Sequence, residues 1–272
     1  MKERLDVLLV SKGYFSSRER AKSEIMAGNV YIGGRLYDKP GTSVDIDSEI
    51  ELRGDSCPFV GRGGLKLAKA LEYFGLNLTD TVGMDVGAST GGFTDCMLQN
   101  GAKHVYAVDV GYGQLDWKLR NDVRVTNLEK VNFRYFDKSV LDSPIDFMSI
   151  DVSFISLSMM FPVGVKLLSD AGKIVCLIKP QFEAGRSQVG KKGIVKDKSV
   201  HRDVIENVAS YALTNGLLPT GLTYSPMTGA KGNIEYLMLL EKSGGRELDI
   251  DEFSKALNDT VEEAHSKLMM QG

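Results

Sequence analysis

The stretch Gly83-Met84-Asp85-Val86-Gly87-Ala88-Ser89-Thr90-Gly91-Gly92-Phe93-Thr94-Asp95 constrains this chain more than any other. It reads as an apolar strand running into a glycine-rich turn that opens a helix. Glycines let backbone approach a ligand closely, and a helix N-terminus offers unpaired N–H donors. A second apolar run, Val105-Tyr106-Ala107-Val108, ends in Asp109. That acidic residue falls about 20 residues further on, where α/β folds catch a nucleotide ribose. Together the two features predict a Rossmann-like site for an adenosyl cofactor.

The glycine pattern narrows the cofactor. A dinucleotide fingerprint has the form G-x-G-x-x-G, but Ser89 stands at the middle position. The missing glycine normally makes room for a pyrophosphate, which argues against NAD, FAD and a dinucleotide-dependent oxidoreductase. A P-loop fails as well, because no Gly-Lys-Ser/Thr follows. Asp85 repels phosphate but suits the cationic amino-acid end of S-adenosylmethionine, which carries no phosphate. The expected cofactor-binding residues are Asp85, Gly87, Ala88, Ser89, Thr90, Gly91, Gly92 and Phe93 around the turn. Asp109 and Val110 follow the second strand, Leu128 the third, and Asp151 closes the fourth. A ligand-free strand-to-helix turn is the alternative, and the placement of Asp109 weighs against it.

With 272 residues the chain has room for one large or two smaller domains. No apolar stretch approaches the ~20 residues that span a bilayer. The run Val7-Leu8-Leu9-Val10 is crowded by Lys2, Glu3, Arg4 and Asp6, so it is not a signal peptide and no membrane partner is expected. Cys57, Cys96 and Cys176 are scattered and odd in number, which suits the reducing cytoplasm. His104, His201 and His265 lie far apart without paired Cys/His spacing, so no metal site is expected. A net charge of -3 means that any nucleic-acid surface must be local.

The chain divides by pattern. In residues 1–60, Leu5, Leu8, Leu9 and Gly13 suggest a short helix, and Ser16 or Ser17 caps a second one carrying Ala21, Ile25 and Met26. Gly28 ends that helix; Val30-Tyr31-Ile32, Gly33-Gly34 and Arg35-Leu36-Tyr37 read as a hairpin, and Glu49-Ile50-Glu51-Leu52 as a last strand. Arg53 to Gly64 has the composition of a linker. From there to residue 245 helical patterns alternate with strands at Val82–Val86, Val105–Asp109, Val123–Asn127, Phe147–Asp151, Lys173–Ile178, Gly221–Ser225 and Tyr236–Leu240. The expected class is an α/β, Rossmann-like domain, its seven-stranded and mostly parallel sheet flanked by helices on both faces, preceded by a small α+β domain. Residues 246–272 form a terminal amphipathic helix with Ile250, Phe253, Leu257, Val261, Ala264 and Leu268 on one face.

The first unit resembles the S-four-type RNA-binding module. The resemblance is carried by Arg4-Leu5-Asp6, Leu8-Leu9-Val10, Gly13, Ser17-Arg18, Ala21, Ile25, Gly28, Val30, Ile32, Gly34 and Lys39-Pro40-Gly41. On that reading Arg4, Lys12, Arg18, Arg20 and Lys22 meet RNA phosphates. The bland alternative pairs these charges with neighbours such as Glu19 and Glu24 on a solvated surface.

Several polar residues close the predicted strands, where α/β sheets hold ligands. Asp151 ends Phe147-Met148-Ser149-Ile150, Lys179 ends Ile174-Val175-Cys176-Leu177-Ile178, and Glu235 opens the last strand. That strand must run antiparallel to bring Glu235 to the same rim. A lysine leaving a buried strand is costly unless paired, so a structural ion pair with Asp151 or Glu183 is the plain reading. The chemical reading is methyl transfer to a ribose hydroxyl, where a lysine takes the proton or steadies the alkoxide.

This domain resembles the FtsJ-like ribose 2′-O-methyltransferases, which use a Lys-Asp-Lys-Glu tetrad, here Lys66, Asp151, Lys179 and Glu235. More closely, residues 1 to about 242 resemble the TlyA family, often labelled haemolysins, through the 85–95 stretch, Asp151-Val152-Ser153-Phe154-Ile155-Ser156 and Lys179-Pro180-Gln181-Phe182-Glu183. Thr90 stands where FtsJ-like enzymes usually carry proline, as is typical of the TlyA branch. The resemblance implies S-adenosylmethionine-dependent methylation of cytidine 2′-hydroxyls in ribosomal RNA. It makes Lys179 the base or alkoxide stabiliser, with Asp151 orienting it and Lys66 and Glu235 holding it and the ribose. Arg186, Lys191, Lys192, Lys196, Lys198 and Arg202 suggest a flexible basic loop that clamps RNA, with Lys191 and Lys192 at its centre. The competing functions are a non-catalytic ribosome-binding protein and a cytolysin; the latter needs a spanning or amphipathic membrane element that the sequence does not display.

Overall fold

The structure, a computed structural model, describes residues 1–15, 18–26, 28–52, 57–229 and 231–269, without the side chains of Ser23 and Met269. The expected cap at Ser16 or Ser17 and part of the linker lie outside the described residues.

The N-terminal unit contains β1 (Lys2–Arg4), α1 (Leu5–Ser11), α2 (Arg18–Met26), β2 (Val30–Ile32), β3 (Arg35–Leu36), β4 (Ser43–Asp45) and β5 (Ile50–Leu52). Leu5, Leu8, Leu9, Ala21, Ile25, Val30, Val44 and Ile50 close a core between the helices and the strands. Gly33 and Gly34 both take positive φ, +56° and +76°, the requirement of a tight two-residue hairpin, and Ile32 pairs with Arg35 across them. The antiparallel pair β1–β4 is additional to the expected elements. Its strands are three residues each, with only Val44 apolar, so the backbone pairing rather than a hydrophobic pattern reveals them.

The main unit follows as α3 (Gly63–Tyr73), β6 (Val82–Val86), α4 (Gly92–Gln99), β7 (His104–Asp109), α5 (Trp117–Arg120), β8 (Val125–Glu129), β9 (Ile145–Ile150), α6 (Phe161–Leu167), β10 (Leu168–Ile178), α7 (Pro180–Glu183), α8 (Lys198–Thr214), β11 (Leu217–Tyr224), β12 (Tyr236–Lys242) and α9 (Ile250–Met269). The seven strands stand in the order β11-β12-β10-β9-β6-β7-β8. All neighbours are parallel except at β12, which is antiparallel to both β10 and β11.

Side chains alternate across this sheet as period-two geometry demands. Met84, Tyr106, Met148, Cys176 and Met238 face one core with α6, α8 and α9, whereas Ala107, Phe147, Val175 and Leu237 face a second core with α3, α4 and α5. Helices therefore cover both faces. The last helix belongs to the first of these cores through Leu257, Val261 and Ala264, but Ile250 is 74% exposed and lies off the apolar face.

Three expectations change. The third strand runs from Val125 to Glu129, two residues later than expected, because Asp122 turns the chain by accepting from the Arg124 N–H at 2.9 Å and leaves Val123 exposed. The fifth and sixth strands begin earlier, at Leu168 and Leu217. Gly63 and Gly64 belong to α3 rather than to a linker; a Cβ on Gly64 would stand 2.3 Å from the Phe59 ring.

Two buried histidines join α8 to α9, with His201 and His265 rings 4.7 Å apart. Burial, reinforced by His201 and by Lys198, holds the His265 pKa down to about 4 from 6.5. The unfolded chain takes a proton in that interval and the folded chain refuses it. The stabilising contribution is thus present above pH 6.5 and lost as pH falls toward 4. His265→Phe is expected to shrink the acid-induced loss of unfolding free energy by about 2–3 kcal/mol, read from urea titrations at neutral and mildly acidic pH.

Candidate active site

The candidate residues converge where the parallel strands end. β7 ends in Asp109, while Asp151 and Lys179 directly follow β9 and β10. Antiparallel β12 contributes its beginning instead: Tyr236 pairs with Ile178, which brings Glu235 to the same edge.

Two ion pairs organise this edge. Lys66, near the start of α3, donates to Glu235 Oε2 at 2.6 Å. Lys179 pairs with Asp151 Oδ1 and donates to Ser153 Oγ at 3.1 Å. Glu235 is buried and the other three are only partly exposed. The expected contact of Glu235 with Lys179 is therefore replaced by one with Lys66. Leu67 and Ala70 of α3 pack with Leu237 and Leu239, and this places Lys66 over β12. Gly229 closes the pocket behind the carboxylate, since a Cβ there would stand 2.4 Å from Glu235 Oε1. Glu183 takes no part in either pair. It accepts from Ser156 Oγ at 2.7 Å and from the Leu157 N–H at 2.8 Å, tying α7 to the segment after Asp151, and burial raises its pKa.

The glycine-rich turn lies against these pairs. Gly87 has φ +87°, and a Cβ on it would stand 2.3 Å from the Asp151 carbonyl oxygen. Ser89 takes φ +50°, and its N–H donates to Asp109 Oδ2 at 2.8 Å; the other Asp109 oxygen accepts from the Gly111 N–H at 2.6 Å. Asp85 is buried and fully engaged, accepting from Thr94 N–H and Oγ1 at 2.9 and 2.7 Å and from Ser149 Oγ at 2.9 Å. Burial pushes its pKa up to about 6 against the pull of those bonds. Its carboxylate holds the turn to the neighbouring strand.

Two clefts meet over Gly87, Ser89 and Asp151. One, of about 430 Å³, extends past Asp109, Val110 and Gln114 to Asn132, Phe133 and Phe154. The other, of about 390 Å³, contains Arg62, Lys66, Ala88, Thr90, Gly92 and Phe93. Leu128 reaches neither cleft. Because β8 runs on to Glu129, past the expected end at Asn127, Leu128 lies within the strand and packs on the core, and Val131 to Phe133 line the cleft in its place. Gly91 also turns away, toward Leu115 and Leu119.

Arg62, Gln114 and Asn132 were not singled out from sequence, and Phe154 entered only as part of the Asp151–Ser156 signature, not as a site residue. Only Phe154 carries a local signal: it sits in the segment after a strand-ending aspartate, at φ +63°, 89% exposed, its ring 4.7 Å from Phe182.

The basic residues fall into separate groups. Arg4 and Arg18 grip Asp6, Arg20 pairs with Glu24, Lys12 donates to the Ser48 carbonyl, and Lys22 is half-buried. Lys191 and Lys192 are exposed on a turn that is pinned rather than loose. Asn233 donates to the Gly193 carbonyl at 2.8 Å and accepts from the Val195 N–H at 3.0 Å, while His201 meets the Val195 carbonyl at 3.1 Å. Among the described residues no His/Cys/Asp/Glu group is arranged to hold a metal ion.

Residues 59–242, which hold both ion pairs and all of the lining of the two clefts except Met26, match the FtsJ-like methyltransferase family. The chain belongs to that family. Residues 3–50 match the S4 domain. Within the family the chain sits in the TlyA branch. It is 41% identical over 265 residues to the 16S/23S rRNA (cytidine-2′-O)-methyltransferase TlyA of Mycobacterium tuberculosis, covering 97% of each protein. It is 50% identical over 272 residues to YqxC of Bacillus subtilis, covering 98% of this chain and 95% of that one. A solved structure from Streptococcus thermophilus that bears a hemolysin name shares 48% identity with a TM-score of 0.80, covering 99% of this chain and 98% of that one.

The FtsJ-like turn is tight enough to test alone. Gly87→Ala adds a Cβ at a left-handed backbone position against the Asp151 carbonyl, and should lower unfolding free energy by about 2–3 kcal/mol. Thermal melting checks it, with the exposed Gly113→Ala, φ +71° and free of contacts, as the strain-only control.

Proposed function

We propose that this chain transfers a methyl group from S-adenosylmethionine to the 2′-hydroxyl of a cytidine in ribosomal RNA. The observation that carries the reading is the pair of ion pairs, Lys66–Glu235 and Lys179–Asp151, each with one member (Lys66 or Asp151) in the lining of the two joined clefts of a TlyA-family chain.

The first cleft suits a nucleoside without phosphates. Asp109 lies at the strand end where ribose hydroxyls are held, and the turn closes on the Asp151 carbonyl with no room for a Cβ at Gly87. Gly87, Ser89, Asp109, Val110 and Phe133 are the residues that would hold S-adenosylmethionine, which supplies an electrophilic methyl on a sulfonium. The chain's own groups do the rest. Lys179 Nζ takes the 2′-hydroxyl proton or hydrogen-bonds the alkoxide as it forms. Asp151 and Ser153 fix the direction of Lys179, and Lys66, anchored on buried Glu235, positions the ribose. The S4 domain, with Lys191 and Lys192 on the turn held by Asn233, two residues before Glu235, binds RNA phosphates.

A ribosomal substrate places the protein in the cytoplasm. Among the described residues no helix is long and apolar enough to cross a membrane.

Labelled methyl transfer to unmodified small and large ribosomal subunits, assayed separately, tests the proposal. Lys179→Ala should lower transfer by at least about 10³-fold while leaving cofactor affinity, measured by calorimetry, unchanged. Full transfer by the variant would remove Lys179 from the chemistry. Cofactor binding without label in either subunit would reject the substrate.

A further inference from the structure

Asp6 is the one carboxylate in the core of the N-terminal unit's described residues, fully buried at the start of α1 beside apolar Leu5, Leu8 and Leu9. Two arginines converge on it. Arg4 approaches with its fork, Nε to Oδ1 at 2.9 Å and Nη2 to Oδ2 at 3.1 Å. Arg18 reaches the same Oδ2 through Nη2 at 2.8 Å, from the first residue of α2. Each arginine side chain nevertheless stays about half exposed, 53% and 49%.

A guanidinium has five N–H donors. Asp6 engages two on Arg4 and one on Arg18, leaving an outer edge of each facing solvent. We propose that Asp6 is a positioning residue for RNA: it fixes Arg4 and Arg18 side by side as one receptor for a phosphodiester of the RNA backbone. This rests on the RNA-binding reading of the S4 domain.

Three physical arguments carry it. Two cations that share one oxygen would repel and swing apart without the carboxylate between them. Free arginine side chains carry about 2 kcal/mol of rotamer entropy each, and a chain that has already spent it binds more tightly. Planar forks held at fixed angles match phosphate oxygens, which mobile charges do not. Asp6 also keeps its charge throughout, because the bond from Arg4 and then that from Arg18, outweighing burial, hold its pKa down to about 2.

The proposal has an unusual sign. Asp6→Asn makes the RNA-facing surface more positive by one charge, and bulk electrostatics then predicts tighter binding. Positioning predicts weaker binding. The experiment measures affinity of the full chain for unmodified ribosomal subunits across a salt series, with Asp6→Asn alone, Arg4→Ala/Arg18→Ala, and all three changes together. Asp6→Asn is expected to weaken binding about tenfold, the cost of re-ordering two released side chains. It is expected to add nothing once both arginines are gone, where a merely structural role would still lower affinity through the damaged module. Equal or tighter binding by Asp6→Asn overturns the proposal, and so does an undiminished loss in the arginine-free background. A wild-type chain that binds neither subunit would instead contradict the RNA-binding reading beneath it.

Discussion

Because β12 runs antiparallel between β10 and β11, its first residues and not its last arrive where the parallel strands end. Without that reversal Glu235 would lie at the opposite edge of the sheet, and Lys66 would have no carboxylate. The strand's alternation serves two cores at once, with Tyr236 and Met238 on one face and Leu237 and Leu239 on the other. Its register is therefore fixed by burial on both sides, since a slip of one residue would exchange the faces. The position of one catalytic candidate is thus set by apolar packing along the strand that follows it.

The charges at this edge are costly on their own. Partly buried lysines and carboxylates repay their desolvation only when geometry and further hydrogen bonds are good. Each charge here has such support: Lys66 and Glu235 hold each other, and Lys179 has both Asp151 and Ser153. Buried Asp85 is satisfied in the same way, its three hydrogen bonds joining β6 to α4 and β9. The N-terminal unit repeats this logic at Asp6, where a buried carboxylate orders two cations at the surface.

Much of this was legible in the sequence. Strands buried on both faces announce themselves as continuous apolar runs, as Val82–Val86 and Ile174–Ile178 do, and the residues ending them were candidates by position alone. The helix at 92–99 was legible from its glycine turn. Illegible were features set by tertiary contact. Nothing in the order of residues says that Lys66 meets Glu235, because that depends on α3 packing over β12. The lining at Gln114, Asn132 and Phe133 comes from irregular segments with no period to read. Leu128 was misplaced because one strand ends two residues later than expected. The turn bearing Lys191 and Lys192 has a loop's glycine content, yet Asn233, some 40 residues away in sequence, pins it.

The central claim is that Lys179 acts on a ribose hydroxyl. The most direct measurement is the chemical position of the transferred methyl. Ribosomal RNA treated with the enzyme and S-adenosylmethionine is hydrolysed in alkali, which cleaves only where the 2′-hydroxyl is free. The account predicts one or a few new alkali-resistant linkages, each 3′ to a cytidine, absent when Lys179→Ala is used. Methyl found on a base, with every linkage still cleaved, would contradict it.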